Sequence, residues 1–261
     1  MVRALAWAAL PLALAAGGYA GAAPADDLLA ALRQSRTQAA RGAVDITVNF
    51  PPRAQPTRTA AQLPAVPLRP GLLTRNFAVT RADGEVVAGR PTIRFDLVPK
   101  TGPAARWSLW VDLAWNIPLA YEERDAGGGL SRRAAFRTVE AAPRRVSRPA
   151  PGAAPPGLRA AVLSALPGLR LPAGFVPVAV RARAQGGVEV TLSDGVNVLA
   201  LVTAARAVAP APGVASRRLG TRAVWLVGNL PASALAAALA GVRGVDEAGL
   251  GTFLPLAASN S

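Results

Sequence analysis

The chain has 261 residues, of which 51% are hydrophobic and 17% are charged, a composition typical of a globular protein rather than a disordered one. It contains neither histidine nor cysteine, which excludes histidine-based catalytic triads, a cysteine nucleophile, disulfides and the usual metal ligands. The net charge of +14 comes mostly from arginines spread along the chain, without the dense basic tract that would favour nucleic acid as a partner.

Residues 1–22 have the pattern of a secretory signal peptide. Arg3 precedes an apolar run, and small residues at positions 20–22 fit the site that signal peptidase cleaves. The apolar run, residues 4–16, is shorter than the roughly 20 residues that span a bilayer. We therefore expect a periplasmic or otherwise exported protein that is soluble after cleavage. Its positive charge then suits anionic lipid or an acidic protein surface, or serves no specific anion site.

A short helix is predicted after the signal peptide. The segment "DLLAALRQSRTQAA" begins with Asp26 and Asp27, either of which fits a helix N-cap. The segment places Leu28, Leu29 and Leu32 on one face. Gly42 is its predicted end.

The next segment is predicted to be a strand with one buried face, because its apolar residues occupy every second position. These residues are Val44, Ile46, Val48 and Phe50. Residues 51–72 contain six prolines and cannot form a central strand or a helix. We interpret them as a long loop over one rim of the sheet.

The same alternation continues in two strands that are joined by the turn "PKTGPAA". Their predicted apolar face is formed by Ile93, Phe95, Leu97, Trp107, Leu109 and Val111. Two further strands, "LAYEERD" and "RRAAFRTVE", are joined through the glycine turn "AGGG". Together these strands predict an antiparallel meander with one apolar face.

Lys100, the only lysine in the chain, lies in the "PKTGPAA" turn. A catalytic lysine needs desolvation or a neighbouring cation to lower its pKa, and a turn bounded by prolines supplies neither. We interpret Lys100 as a surface residue, and Glu122, Glu123 and Asp125 as solvated strand and turn residues. The sequence therefore predicts no enzymatic activity, no metal site and no cofactor.

The segment "SRPAPGAAPPG", residues 147–157, is predicted to be a linker between two domains. Beyond it we predict a helix in "LRAAVLSAL", four strands in "FVPVAVRARA", "VEVTLS", "VNVLALV" and "AVWLVGNL", and a helix in "PASALAAALAGV". The predicted organisation is a signal peptide (1–22), an N-terminal domain (24–146), the linker (147–157), a C-terminal domain (158–243) and a partly ordered tail (244–261).

Four motifs are the most specific features of the chain: "AGRP" at 88–91, "LWVD" at 109–112, "SDG" at 193–195 and "VGNLP" before the last helix. With the signal peptide and the alternating strands, they resemble the RseB/MucB family of periplasmic sigma-factor regulators over most of residues 26–242. The resemblance implies an α+β fold. Its first domain would be a curved antiparallel β-sheet half-barrel around a helix, similar to LolA-type lipoprotein carriers, followed by a smaller antiparallel α+β domain.

The resemblance also implies a function. Such regulators bind the periplasmic region of a membrane anti-sigma factor and shield it from proteolysis until envelope stress, sensed as lipid or lipopolysaccharide, releases it. The implied partner-binding residues are Ser193, Asp194 and Gly195. The implied apolar cavity for acyl chains is lined by Val44, Ile46, Val48, Ile93, Phe95, Leu97, Trp107, Leu109 and Val111.

The sequence therefore predicts a non-enzymatic envelope regulator that resembles RseB. Its expected partners are an anti-sigma factor and, further, acyl chains, a lipoprotein or anionic lipid, but not nucleic acid. The alternative is a periplasmic lipid or lipoprotein carrier of the LolA type. An exported hydrolase is disfavoured because the sequence shows no arrangement of nucleophile and base.

Overall fold

A computed structural model describes residues 23–209 and 211–254, so the predicted signal peptide lies outside the described residues. The N-terminal half contains α1 (Pro24–Gln34), β1 (Gln38–Ala39), β2 (Gly42–Val48), β3 (Thr57–Ala60), α2 (Pro70–Asn76), β4 (Phe77–Asp83), β5 (Thr92–Pro99), β6 (Arg106–Asp112), β7 (Pro118–Arg124), β8 (Leu130–Val139) and β9 (Arg144–Arg145). The C-terminal half contains α3 (Leu158–Ala165), β10 (Val176–Ala182), β11 (Val188–Ser193), β12 (Val198–Ala204), β13 (Val214–Leu219), β14 (Arg222–Val227), α4 (Ala232–Ala240) and a 3₁₀ helix (Ala248–Phe253).

Two open antiparallel sheets organise these elements. The seven-stranded N-terminal sheet has the order β3-β2-β8-β7-β6-β5-β4, and the five-stranded C-terminal sheet has the order β10-β11-β12-β14-β13. A separate two-stranded ribbon pairs β1 with β9. The predicted α+β fold with antiparallel sheets is confirmed.

The first helix is shorter than predicted. It begins at Pro24 and ends at Gln34, and no side chain caps its N-terminus. Asp26 and Asp27 lie within the first turn instead, where their carboxylates interact favourably with the positive end of the helix dipole. The helix ends before the predicted Gly42 because Gln38 and Ala39 pair with β9.

The proline-rich segment is only partly the loop that we predicted. Thr57–Ala60 forms β3, which pairs with β2 at the edge of the sheet. Pro70 begins α2, at a position where the missing N–H of proline has no helical partner to lose. An edge strand and a helix start are places that tolerate proline.

Each sheet has its own hydrophobic core. Leu28, Ala31 and Leu32 of α1 belong to the core on the N-terminal sheet. The second core contains residues of α3, α4 and the C-terminal sheet. Residues 244–254, which we expected to be a partly ordered tail, are part of it, since Leu250 of the 3₁₀ helix is fully buried there.

Candidate functional site

The predicted cavity residues share one face of the N-terminal sheet. Their pairs across β5 and β6 are Ile93 with Val111, Phe95 with Leu109 and Leu97 with Trp107. Val44, Ile46 and Val48 of β2 are also buried in the core that contains α1. Most of these side chains therefore fill the core rather than face open space.

An apolar cavity of about 230 Å³ lies beside this core. The sheet contributes Leu109, Tyr121 and Phe136 to its wall, and the end of α1 contributes Leu32. Of the nine residues predicted from the sequence, Leu109 alone lies in this wall. Burial raises the pKa of Tyr121, so its phenol stays neutral beside the cavity.

Two segments without helix or strand complete the wall. One is residues 63–68, which continue to Pro70 at the start of α2, and the other is the linker around Arg148, Pro149 and Pro151. Neither segment belongs to an alternating strand, so local alternation could not indicate that they line the cavity. Only their proline content, which excludes regular strands, was a signal in the sequence.

Two arginines, Arg36 and Arg148, also line the cavity. Their backbones are neighbours in the fold, because the N–H of Arg148 donates to the carbonyl of Arg36 at 3.0 Å. Both residues are partly buried. Within residues 23–209 and 211–254, neither guanidinium forms a salt bridge or a side-chain hydrogen bond, whereas nine ion pairs form elsewhere.

Arg69 fixes the 63–70 segment on two sides. Its backbone N–H donates to the carbonyl of Gly195 at 2.8 Å, and its guanidinium Nη1 donates to the carbonyl of Gly152 in the linker at 2.5 Å. Partial burial lowers the pKa of Arg69 from its ordinary value. The cavity wall is thereby bound both to the linker and to the C-terminal half.

The predicted partner-binding residues lie between the two halves. Ser193, Asp194 and Gly195 are all buried, at the turn that joins β11 to β12. Gly195 has a φ of +122°, and a Cβ at this position would lie 2.4 Å from the backbone nitrogen of Leu73 in α2. In this structure the triplet is therefore an internal contact with no free surface for a partner, and its role in partner binding stays a prediction.

At this contact, each hydrophobic core includes one residue from the other half of the chain. Val196, from the C-terminal half, is buried in the core of the N-terminal sheet. Ala104, from the turn between β5 and β6, is buried in the core of the C-terminal half. Each half therefore inserts an apolar side chain into the other.

Asn197 is the centre of a buried hydrogen-bond network at the same contact. Its Oδ1 accepts from Trp107 Nε1 at 2.8 Å, and its Nδ2 donates to the carbonyl of Ala105 at 3.1 Å and to Asp194 Oδ2 at 2.8 Å. Burial raises the pKa of Asp194, although hydrogen bonds from Asn197 and the backbone oppose the shift. Asn76 adds a bond to the carbonyl of Asp194 at 2.7 Å.

Glu123 and Lys100 differ in how well the sequence predicted them. Glu123 is buried, where it accepts hydrogen bonds from Arg132 and from Asn229 of the C-terminal half, so the interpretation as a solvated residue is wrong. Lys100 is exposed, and its Nζ donates to the carbonyl of Thr74 at 2.9 Å. This agrees with a structural role in the turn.

No protein-family model matches the sequence, and no curated protein matches it. Solved structures do match. A crystal structure of MucB is 17% identical and aligns with a TM-score of 0.56, covering 86% of this chain and 99% of that chain. The chain has the MucB fold.

Two complexes give the same result. In the MucA/MucB complex from Pseudomonas aeruginosa the matched chain is 16% identical, with a TM-score of 0.58 and coverage of 86% of this chain and 100% of that chain. In MucB bound to MucA(peri) the corresponding values are 16%, 0.55, 85% and 99%. Because the MucB fold covers this much of the chain, it includes both sheets. The fold that the sequence resemblance implied is confirmed.

Proposed function

We propose that this protein is a non-enzymatic regulator of the cell envelope that binds the periplasmic region of a membrane anti-sigma factor. The observation that carries the proposal is the match to MucB over both halves, including MucB chains that were solved with MucA bound. A protein that uses only a lipid-carrier domain would not need the C-terminal half.

A periplasmic location is part of the proposal. It is supported by the signal-peptide pattern of residues 1–22. No helix in residues 23–209 and 211–254 is long and apolar enough to cross a bilayer.

Within the same residues, no group of three or more acidic side chains is placed to hold a metal ion.

We further propose that the cavity beside Leu109 and Tyr121 binds lipid and that this binding regulates the partner. Its walls are mostly apolar, as acyl chains require. The same cavity favours the alternative of a periplasmic lipid or lipoprotein carrier. However, its volume of about 230 Å³ is only about one and a half times that of a 150 Å³ engineered cavity that binds benzene. A cavity of this size is too small for the several acyl chains of a lipoprotein.

Calorimetric titration tests partner binding. The mature protein is titrated with the recombinant periplasmic region of an anti-sigma factor from the same genome, and a one-to-one complex is expected. Because the chain is strongly basic, with a net charge of +14 before residues 1–22 are removed, an unrelated acidic peptide of equal length and charge is the matched control. If both peptides bind equally, or neither binds, the regulator proposal is wrong.

Carrier activity is tested separately. Mature protein is loaded with a fluorescent acyl lipid and mixed with acceptor vesicles. Fast, complete transfer without any binding to the anti-sigma region would favour the carrier over the regulator. Retention of the lipid together with binding to the anti-sigma region would favour the regulator.

A further inference from the structure

From the size and charge of the cavity, we infer that it takes a ligand with one alkyl chain and one anionic head group, the chain inside and the head group at Arg36 and Arg148. The inference rests on the proposed lipid-binding role of this cavity and narrows the class of ligand. It excludes lipids that must bury two or more chains together.

The volume sets the length of chain that the cavity can hold. A cavity of about 150 Å³ takes benzene, which has six carbon atoms. By that comparison, the volume of about 230 Å³ holds about eight or nine carbons of an alkyl chain. A longer chain leaves its remaining carbons outside the cavity.

The surrounding structure keeps the cavity from widening easily. On one side, Leu109 and Tyr121 belong to the sheet core, where Tyr121 packs against Trp107 with ring centroids 5.6 Å apart. On the other side, Arg69 binds the 63–70 segment to the linker and to Gly195. A second chain would have to break contacts on one of these sides.

The arginines specify the head group. Arg36 and Arg148 line the cavity, are partly buried and have no acidic partner within residues 23–209 and 211–254. A partly buried guanidinium binds a carboxylate or phosphate strongly, since its planar donors match both groups. Free fatty acids and single-chain phospholipids share this chemistry.

Calorimetry with a series of fatty acids tests the chain length. Hexanoate, octanoate, decanoate and dodecanoate are titrated into the mature protein below their micelle concentrations. Each added methylene should increase affinity by about fourfold until about eight are buried, and affinity should then level off. A constant increase up to dodecanoate, or no binding at all, would overturn the inference.

Charge-removing variants test the head group. Arg36→Gln and Arg148→Gln should each weaken octanoate binding by about tenfold and leave the binding of neutral octanol unchanged. The matched control is Arg33→Gln, which removes an exposed arginine of α1 that does not line the cavity. Equal losses in all three variants would show a general charge effect and refute the site. Thermal unfolding shows whether each variant is still folded. The variant Arg148→Lys keeps the positive charge, so it should bind octanoate better than Arg148→Gln if the charge binds the head group.

Two phospholipid probes distinguish the sources of the ligand. Octanoyl lysophosphatidylglycerol has one chain and a phosphate, and dioctanoyl phosphatidylglycerol has two chains. If octanoyl lysophosphatidylglycerol binds more tightly than octanoate, the site is specific for phosphate; if it binds more weakly, the site is specific for carboxylate. If the two-chain lipid binds more tightly than the one-chain lipid, the inference is wrong. The titration with the anti-sigma region is repeated without any lipid. If the protein binds the anti-sigma region but none of the lipids, this inference is wrong and the regulator proposal still stands.

Discussion

Replacement of Asn197 by alanine should weaken the contact between the two halves. The variant leaves the buried Nε1 of Trp107 and the buried carbonyl of Ala105 without a partner, and it removes one donor from Asp194. A buried polar group without a hydrogen bond costs about 1–3 kcal/mol. With two such groups, we expect Asn197→Ala to lower the free energy of unfolding by about 2–6 kcal/mol.

Urea unfolding followed by tryptophan fluorescence and circular dichroism measures this loss. The matched control is Asn49→Ala, because the exposed Asn49 makes a single side-chain hydrogen bond, to the carbonyl of Leu130. We expect the control to change stability by about 0.5 kcal/mol or less. Equal losses in the two variants would refute the reasoning that buried hydrogen bonds join the halves.

A double-mutant cycle isolates the bond itself. Trp107→Phe removes the Nε1 donor and keeps most of the buried ring, so the cycle with Asn197→Ala measures the coupling between the two side chains. A coupling free energy of about 0.5–3 kcal/mol is expected for residues in direct contact. Additivity within about 0.3 kcal/mol would mean that Asn197 acts through its other bonds alone.

Three further changes test the core, the buried acid and the turn. Leu109→Ala should lower the free energy of unfolding by about 2–5 kcal/mol in urea titration, because Leu109 is fully buried; a loss below 1 kcal/mol would mean that the side chain faces open space. Burial raises the pKa of Asp194 in the folded protein, so the folded state binds its proton more tightly than the unfolded state does. The free energy of unfolding of the wild type, relative to that of Asp194→Asn, should therefore be greatest below the unfolded pKa of about 3.9 and should fall as the pH rises through the folded pKa. Urea unfolding of both proteins at several pH values measures this difference in stability. If the difference increases with pH, the raised pKa is wrong. Gly195→Ala should lower the melting temperature more than Gly186→Ala does, and the extra loss should correspond to about 1–3 kcal/mol of stability. Both glycines have positive φ, but only at Gly195 would a Cβ lie against Leu73. Equal shifts in melting temperature would show that the turn at Gly195 is not tightly packed.

The alternating strands were predictable because each has one buried face. Phe95, Leu97 and Leu109 occupy every second position along their strands, and the sheet register places them on one face. The edge strands β3 and β13 carry no such pattern. The exposed β3, "TRTA", and the partly buried β13, "VASRRL", were missed because their side chains are not divided between a core and solvent.

The cavity and the buried polar residues could not be predicted from local sequence. Arg36, Arg148 and the 63–70 segment meet only after the chain has folded. Glu123 and Asn197 look like ordinary polar strand and turn residues until the opposite half of the chain covers each of them. In each case the deciding contact joins residues that are far apart in sequence.

The linker illustrates why composition alone gives an incomplete account of this chain. Its prolines and small residues predict a linker between two separately folded domains, yet the backbone N–H of Arg148 donates to the carbonyl of Arg36, and the carbonyl of Gly152 accepts from Arg69. The linker is therefore part of the cavity wall. Because Arg69 also bonds to Gly195, the shape of the cavity depends on how the C-terminal half is seated. Loss of that contact would alter the cavity even though every residue of the sheet core stayed in place.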